Sequence, residues 1–286
     1  MAKWTDAELR LEYLGYLCNH AEFTGEQPSL LVISAHPDDE VIGLGAKIPE
    51  LKNLTFIHTT DGAPRNMKDA NAVGFNSREE YAKKRYDEFC SVMQLAGHPV
   101  CSCIELGYVD QESAFNLVKM TNDLLEIFSS LEPDVIITHP YEGGHPDHDS
   151  TAFAVHHALK KLRQKGNPGK MPVLLEFSSY FSDNGRMVTF DFLPDSRIEK
   201  YTSLLSPEKQ LLKERMFDCF GTQRNVLQYF PVSLEAFRSA PEYDFTKEPH
   251  EGRLYYEYFD WGVRGEQWRS LASEAIMEIL RDRIYE

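Results

Sequence analysis

The chain's apolar positions come in blocks whose period changes along its length. Residues 30–35, "LLVISA", are an almost unbroken apolar run of the kind a strand shows when both its faces are covered. "EVIGLGAKIPEL" then predicts a short helix, and "LTFIHTT" a second strand that stops at the turn pair Asp61-Gly62. "SREEYAKKRYDEFCSVMQLAG" predicts a long amphipathic helix, capped by Ser77 and stopped at Gly97. "VCSCIEL" is a third strand pattern and "PDVIITH" a fourth. Between them "ESAFNLVKMTNDLLEIFSSL" sets Phe115, Val118, Leu124, Leu125 and Phe128 at helical core spacing. "STAFAVHHALKKLRQ" follows as another helix, and a first helix is expected over roughly 5–20. A strand–helix alternation of this kind predicts an α/β fold, a mostly parallel sheet with helices on both faces.

Past about residue 166 the alternation loosens. "VLLEFSSYF" and "MVTFDF" pattern as strands, and Ser206, Pro207 and Glu208 open a helix. An aromatic stretch, "APEYDFTKEPHEGRLYYEYFDWG", precedes a last helix that puts Trp268, Leu271, Ala275, Ile276, Ile279 and Leu280 on one face. With no repeat or linker, residues 1–286 are expected to form one domain, its core over 25–220 and an extension over 221–286 packed on it. The aromatic stretch suits core packing first, then a wall for a sugar cleft, or a contact between copies in a homo-oligomer.

Charge narrows the partners. Forty-five acids against 30 bases give a net charge of −15, with no basic block, a field that opposes nucleic acid and anionic membrane surfaces. No run approaches the ~20 apolar residues of a membrane span, and the N-terminal segment lacks a basic stretch followed by an apolar one. The five scattered cysteines build no disulfide framework, and Cys101-x-Cys103 lacks a second pair to complete a metal site. The expected location is the reducing cytoplasm, with no membrane span and no nucleic-acid partner.

Candidate chemistry sits where two strands end. Ligands of open α/β sheets bind outside the carboxyl ends of the strands. Here one strand runs into His36-Pro37-Asp38-Asp39-Glu40 and another into "THPYEGGHPDHDS", with His139, His145, Asp147, His148 and Asp149. Imidazole and carboxylate together suit zinc, whose catalytic sites take three protein ligands and leave a place for water. His36 and Asp39 can supply two ligands, and a histidine of the second loop the third. Asp38 can then lie beside the water and take its proton, since a bound metal lowers the pKa of water toward ~7. Of the two histidines in "HPDH", one can bind metal while the other, protonated, faces substrate, and Asp147 can orient a ring. Iron(II) fits the same donors. His58, His20 and His98 are expected to be structural, His156 and His157 packing or surface residues, and His139 a support near the site.

The "AHPDDE" of residues 35–40 and the "HPDH" of residues 145–148 resemble, without mismatch, the two motifs of the LmbE-like (PIG-L) family of zinc-dependent N-deacetylases. "TTDG" at 59–62, Arg85 with Glu88, and Lys213 with Thr222 and Gln223 match more loosely. The resemblance implies a Rossmann-like sheet and one zinc ion held by His36, Asp39 and His148. It implies Asp38 as general base, His145 as the acid that stabilises the oxyanion, and Asp147 as its modulator. Arg85 matches a substrate-contacting arginine, with Arg78 as the alternative. The implied reaction removes acetyl from an N-acetylated amino sugar or its conjugate; a branch of the family cleaves cysteine conjugates of thiols instead.

One departure stands out. A tyrosine common two residues before "HPDH" in one branch is Gly143 here, and Tyr141 is the residue able to reach the same space. His250 and Arg253 in the aromatic tail are further candidates for substrate contacts. Two rival readings carry their own signatures. A non-catalytic metal-binding protein on this scaffold would lack Asp38 or His145. A nucleotide-binding module would want glycines directly after the first strand, whereas Gly43 and Gly45 come too late.

Overall fold

A computed structural model describes residues 5–18, 23, 26–98, 103–164 and 171–285. Its centre is β1 (Leu30–Ser34), paired in parallel with β2 (Leu54–Thr60) on one side and β4 (Val135–Thr138) on the other. β3 (Cys103–Tyr108) extends the sheet beyond β2, and β5 (Val173–Phe177) beyond β4, again in parallel. The sheet is thus mostly parallel, as the strand–helix alternation predicts.

Odd and even residues of the central strands face different cores. Leu30, Val32, Val135 and Ile137 enter one apolar cluster; Leu31, Ile33, Ile57 and Ile136 enter the other. The first cluster takes residues of α1 (Asp6–Leu17), α2 (Asp39–Leu44) and α4 (Arg78–Leu95). The second takes residues of α5 (Leu117–Leu131) and α6 (Pro146–Gln164). The short α3 (Lys68–Ala72) carries Ala70 in a third, small cluster with Tyr81. Burial on both faces is why these strands read as continuous apolar runs. Ser77 caps α4 as expected, its Oγ accepting from the Glu80 amide at 3.2 Å.

The C-terminal part departs from the expectation of an extension laid on a finished core. "VLLEFSSYF" is two strands, β5 and β6 (Tyr180–Asp183), broken at Ser178 and Ser179. β6 leaves the main sheet to form a hairpin with β7 (Arg186–Thr189). β8 (Lys200–Leu204) and β9 (Leu234–Ser239) enter the main sheet antiparallel, giving the order β3-β2-β1-β4-β5-β9-β8. The sheet therefore includes residues from beyond 220. The last helix, α9 (Gly265–Tyr285), docks through buried Trp268, Ala275 and Ile279, while Leu280 is 48% exposed. Phe115 is 50% exposed, because it lies in a 3-10 turn before α5 and off the helix's apolar face. Cys101 and His20 lie outside the described residues. No helix among the described residues is long and apolar enough to cross a membrane.

One buried ion pair fastens this later part to the first motif. α7 (Pro207–Cys219), followed by the short α8 (Arg224–Leu227), carries Lys213 under the sheet. The Lys213 ammonium donates to the Ile42 carbonyl at 2.7 Å and to Glu235 Oε1 of β9 at 2.8 Å. Glu235 Oε1 also accepts from the Ala46 amide at 2.8 Å. Burial pushes the lysine pKa down while Glu235 opposes the shift. Removing one member of such a pair strands the other charge. Lys213→Met is expected to lower unfolding free energy by about 3–5 kcal/mol. Adding Glu235→Gln, which keeps an acceptor for Ala46, should restore most of that in denaturant titrations.

Candidate metal centre and active-site cleft

In this sheet the order in which strands are added reverses between β1 and β4, so their carboxyl ends flank the crevice where α/β sheets bind ligands. Leu30–Ile33 pair in register with Val135–Thr138, which brings the His36 loop against the His139–His148 loop. Close packing keeps both loops in place. A Cβ on Gly43 would come within 2.3 Å of the Phe177 ring, and one on Gly144 within 2.1 Å of the Tyr180 carbonyl oxygen.

The first motif folds back on itself at the start of α2. Asp39 Oδ2 accepts from the His36 amide at 2.8 Å and lies 3.1 Å from His36 Nδ1. Asp39 Oδ1 lies 3.1 Å from His148 Nε2, and Oδ2 3.3 Å from His139 Nε2. Burial would raise the Asp39 pKa, but His148 and His139 hold it well below the usual range. The three expected ligands are therefore joined pairwise, with Asp39 between the histidines through different oxygens. Donor sets lying within 4.8 Å of one another among the described residues are His36–His145–His148, His36–Asp110–His145–Asp147 and Asp39–His139–His148. None contains His36, Asp39 and His148 together, and His139 stands closer to the donors than a supporting residue need be.

Asp38 occupies a strained position. Its φ is +137°, uncommon for any residue but glycine, and costs about 1–3 kcal/mol. Arg85 Nη2 holds it, donating to Asp38 Oδ2 at 2.8 Å and to the Pro37 carbonyl at 2.9 Å, while Nη1 donates to the Gly62 carbonyl at 2.7 Å. Behind it the Glu40 carboxylate accepts from the Asp38 amide at 3.3 Å and lies 3.1 Å from His58 Nε2. Burial pushes the Asp38 carboxyl up to about 7, against the pull of Arg85.

The second motif presents His145 beside His36, their ring centroids 4.6 Å apart. The Asp147 amide donates to His145 Nδ1 at 3.1 Å, which leaves Nε2 to carry the proton of the neutral ring. Burial, then the charges of His36 and His148, pushes the His145 pKa well down. With Nδ1 accepting, a neutral His145 ring donates through Nε2. Asp147 is buried and held low despite burial by His36 and His145; it accepts from the Gln111 amide at 2.6 Å and from the Ser113 hydroxyl.

The cleft these groups line encloses about 110 Å³. Asp110, which sequence reasoning passed over, lies in it at the end of β3, with Oδ1 3.3 Å from His36 Nε2. Its position after a parallel strand was the available signal. Gln111, Gln223, Tyr180 and Trp261 line the cleft as well. Glu88, a looser motif match beside Arg85, accepts from the Thr222 hydroxyl at 2.6 Å, and Gln223 donates to the Tyr81 hydroxyl at 2.7 Å.

Three substrate candidates lie off the cleft lining. Arg78 is spent on Asp61 and the Ala63 carbonyl. Tyr141 is buried against Trp268, its ring 5.2 Å away, and donates to the Lys247 carbonyl at 2.8 Å. His250 lies against the Glu251 carbonyl at 2.8 Å, on a C-terminal turn. Gly143, at φ +70°, has the Leu254 side chain where a side chain of its own would go, which explains why no tyrosine fits there.

A cation suits this donor set. Asp38, Asp39, Asp110 and Asp147 are all buried within it, opposed among fixed cations by Arg85. His139 Nδ1 has no hydrogen-bond partner, and Asp110 Oδ1 faces His36 Nε2 at 3.3 Å without a well-aligned hydrogen bond. Buried carboxylates in such excess call for added positive charge.

A family model described as "PIG-L: GlcNAc-PI de-N-acetylase" matches residues 31–159, the segment that carries both motifs. Residues 31–159 resemble a PIG-L domain. A protein of Bacillus subtilis (strain 168), named probable N-acetyl-alpha-D-glucosaminyl L-malate deacetylase 2, is 31% identical over 149 residues, 49% of this chain and 64% of its own. Its namesake in Bacillus cereus is 29% identical over 146 residues, with the same coverage. The match thus spans about two-thirds of those relatives' length, 64%. Among solved structures, an antimicrobial A40926 pseudoaglycone deacetylase superposes with TM-score 0.56 at 18% identity, covering 77% of this chain and 99% of that one. The N,N'-diacetylchitobiose deacetylase of Pyrococcus horikoshii gives 0.51 at 21%, covering 80% and 91%. At these identities the structural likeness is one of fold. The strands and loops from Tyr180 onward, including Trp261, lie outside the matched segment.

Gly144→Ala is expected to push the second loop off the Tyr180 carbonyl. It should lower stability by about 1–3 kcal/mol and weaken divalent-metal binding, read together by denaturation and calorimetry.

Proposed function

We propose that this chain is a metal-dependent N-deacetylase, with zinc as the metal and the acetamide of an N-acetylated amino sugar or its conjugate as the substrate. The observation that carries it is the meeting of Asp38, His145 and the His36–Asp39–His148 donors in one cleft of a chain whose residues 31–159 resemble a PIG-L domain. The names of the Bacillus relatives support the reaction class and an N-acetylglucosamine-derived substrate.

His36, Asp39 and His148 would hold the ion, His148 and His36 turning slightly from their present partner Asp39 to share it. A zinc ion bound there supplies Lewis acidity toward the amide oxygen and makes water a stronger acid. Asp38 receives the proton as water attacks the acetyl carbon, and a carboxyl pushed toward neutrality is suited to receive it. Neutral His145 donates Nε2–H to the oxygen on which charge develops. Because His145 has no proton to spare in that state, Asp38 returns its own to the leaving amine. Asp147 fixes the His145 ring through its amide and steadies the His36 ring through its carboxylate, 3.2 Å from Nε2. Asp110, on the cleft lining, offers its carboxylate to a hydroxyl of the sugar.

Amidase action on a cysteine conjugate would use the same groups, and the assay separates the two. Protein loaded with zinc, then with iron(II), is offered N-acetylated sugars and cysteine conjugates, and free amine is measured. Amine from the sugars is expected; silence there with turnover of a conjugate replaces the main reading. Asp38→Asn should cut turnover about 10²–10⁴-fold while one metal ion per chain is retained. Loss of metal in that variant would mean that Asp38 and Asp39 have exchanged roles.

The pH profile follows from Asp38. Its proton must be absent for it to act as base, so kcat/KM should fall as pH drops through its pKa, about 7 before a cation lowers it. Arg85 is the charge that favours its ionised form. Arg85→Gln should therefore move that acidic limb to higher pH, by about 1–3 pH units.

A further inference from the structure

We propose that the cleft continues into an aromatic subsite that takes a planar, apolar aglycone attached to the amino sugar. The inference rests on the reading that the cleft holds the acetamide of such a sugar, and it deepens that reading. A series of rings leads away from His145 and returns to the cleft beside His148. Trp261 lies 4.5 Å from the His145 ring, and Phe259 stacks on Trp261 at 4.5 Å and 14°. Tyr255 follows at 5.2 Å from Phe259, Tyr180 at 5.4 Å from Tyr255, and Phe230 at 5.7 Å from Tyr180.

These outer rings are not explained by the core. Trp261, Phe259 and Tyr255 belong to none of the apolar clusters, Phe259 is 45% exposed, and Trp261 is half-buried on the cleft wall. The segment is nevertheless held in place. The Tyr255 amide donates to the Gly143 carbonyl at 2.9 Å, two residues before His145, and Glu257 Oε1 accepts from the Gly265 amide at 2.9 Å. Asp110, Arg85 and Gln223 are polar groups of the same cleft. The lining thus offers partners for hydroxyls as well as rings for flat apolar surface. A free monosaccharide carries hydroxyls around its rim and would leave Phe259 in water. A ring on the glycosidic oxygen would cover it and extend the Phe259–Trp261 stack, a favoured arrangement of aromatic groups.

The test compares phenyl and methyl glycosides of N-acetylglucosamine on the metal-loaded protein, by calorimetric binding and by amine release. The phenyl glycoside should bind about tenfold more tightly, as one or two added ring contacts would produce. Trp261→Ala and Phe259→Ala should each collapse the phenyl-to-methyl ratio toward one, with Phe259→Leu retaining part of it. Equal affinity for the two glycosides, or a ratio that survives both alanine variants, overturns the subsite. Sedimentation showing a dimer that Phe259→Ala dissolves also overturns it, because the rings would then be covered by a second copy. The two readings fail separately. Amine released equally from both glycosides defeats the subsite and leaves the deacetylase standing. Ring-dependent binding with no amine released defeats the deacetylase and leaves the subsite standing, while binding of neither glycoside defeats both.

Discussion

Everything at the functional edge of this protein answers to one electrostatic constraint: four aspartates are buried together within a few ångströms of four histidines. Carboxylates removed from water must be paired, hydrogen-bonded or neutralised. Each of the four meets the demand differently. Asp39 is shared by three imidazoles, Asp147 by His36, backbone amides and the Ser113 hydroxyl, and Asp38 by Arg85. Asp110 stands 3.3 Å from His36 Nε2 through Oδ1. That uneven sharing holds Asp39 and Asp147 charged, while burial raises Asp110 and pushes Asp38 up to about 7. Acid and base work from similar side chains requires such a separation.

The sheet makes the cluster possible. Parallel strands deliver their carboxyl ends to one edge, and the switch in order between β1 and β4 opens a crevice there rather than packing it shut. Support comes from behind both loops. Under the first, Lys213 ties α2 to β9. Behind the second, Arg238 of β9 donates to Glu142 at 3.0 Å and to Glu176 at 2.7 Å. Burial raises both carboxyls, Glu142 to about 8 and Glu176 to about 7, and Arg238 opposes it. β9 lies outside the segment matched by the family model, so the later part of the chain braces both halves of the site and supplies aromatic lining to the cleft.

Much of this was legible along the chain, unevenly. β1, β2 and β4 were plain because burial on both faces leaves an unbroken apolar run, and the two His-Pro-Asp motifs were plain because they end such runs. β8 and β9 were not. β8 reads "KYTSL" and β9 "LEAFRS", patterns that an edge position and buried charged partners make ambiguous. Asp110 escaped for a related reason: one acid after a strand is ordinary, and only its neighbours His36 and Arg85 make it part of a site. Tyr141 looked close to the chemistry by sequence distance, but the chain turns at Gly143 and sends it into the core with Trp268.

The sequence by itself determined the layered α/β architecture, the two loops that carry the site and the ligand chemistry those loops offer, because period, turn residues and donor types are local properties. Tertiary structure alone decided how the groups share charge. Whether His145 is protonated, which carboxyl sits near neutrality and which rings line the cleft depend on burial and on neighbours far away in the chain. Those are sums over three-dimensional distance, and no spacing along one dimension records them.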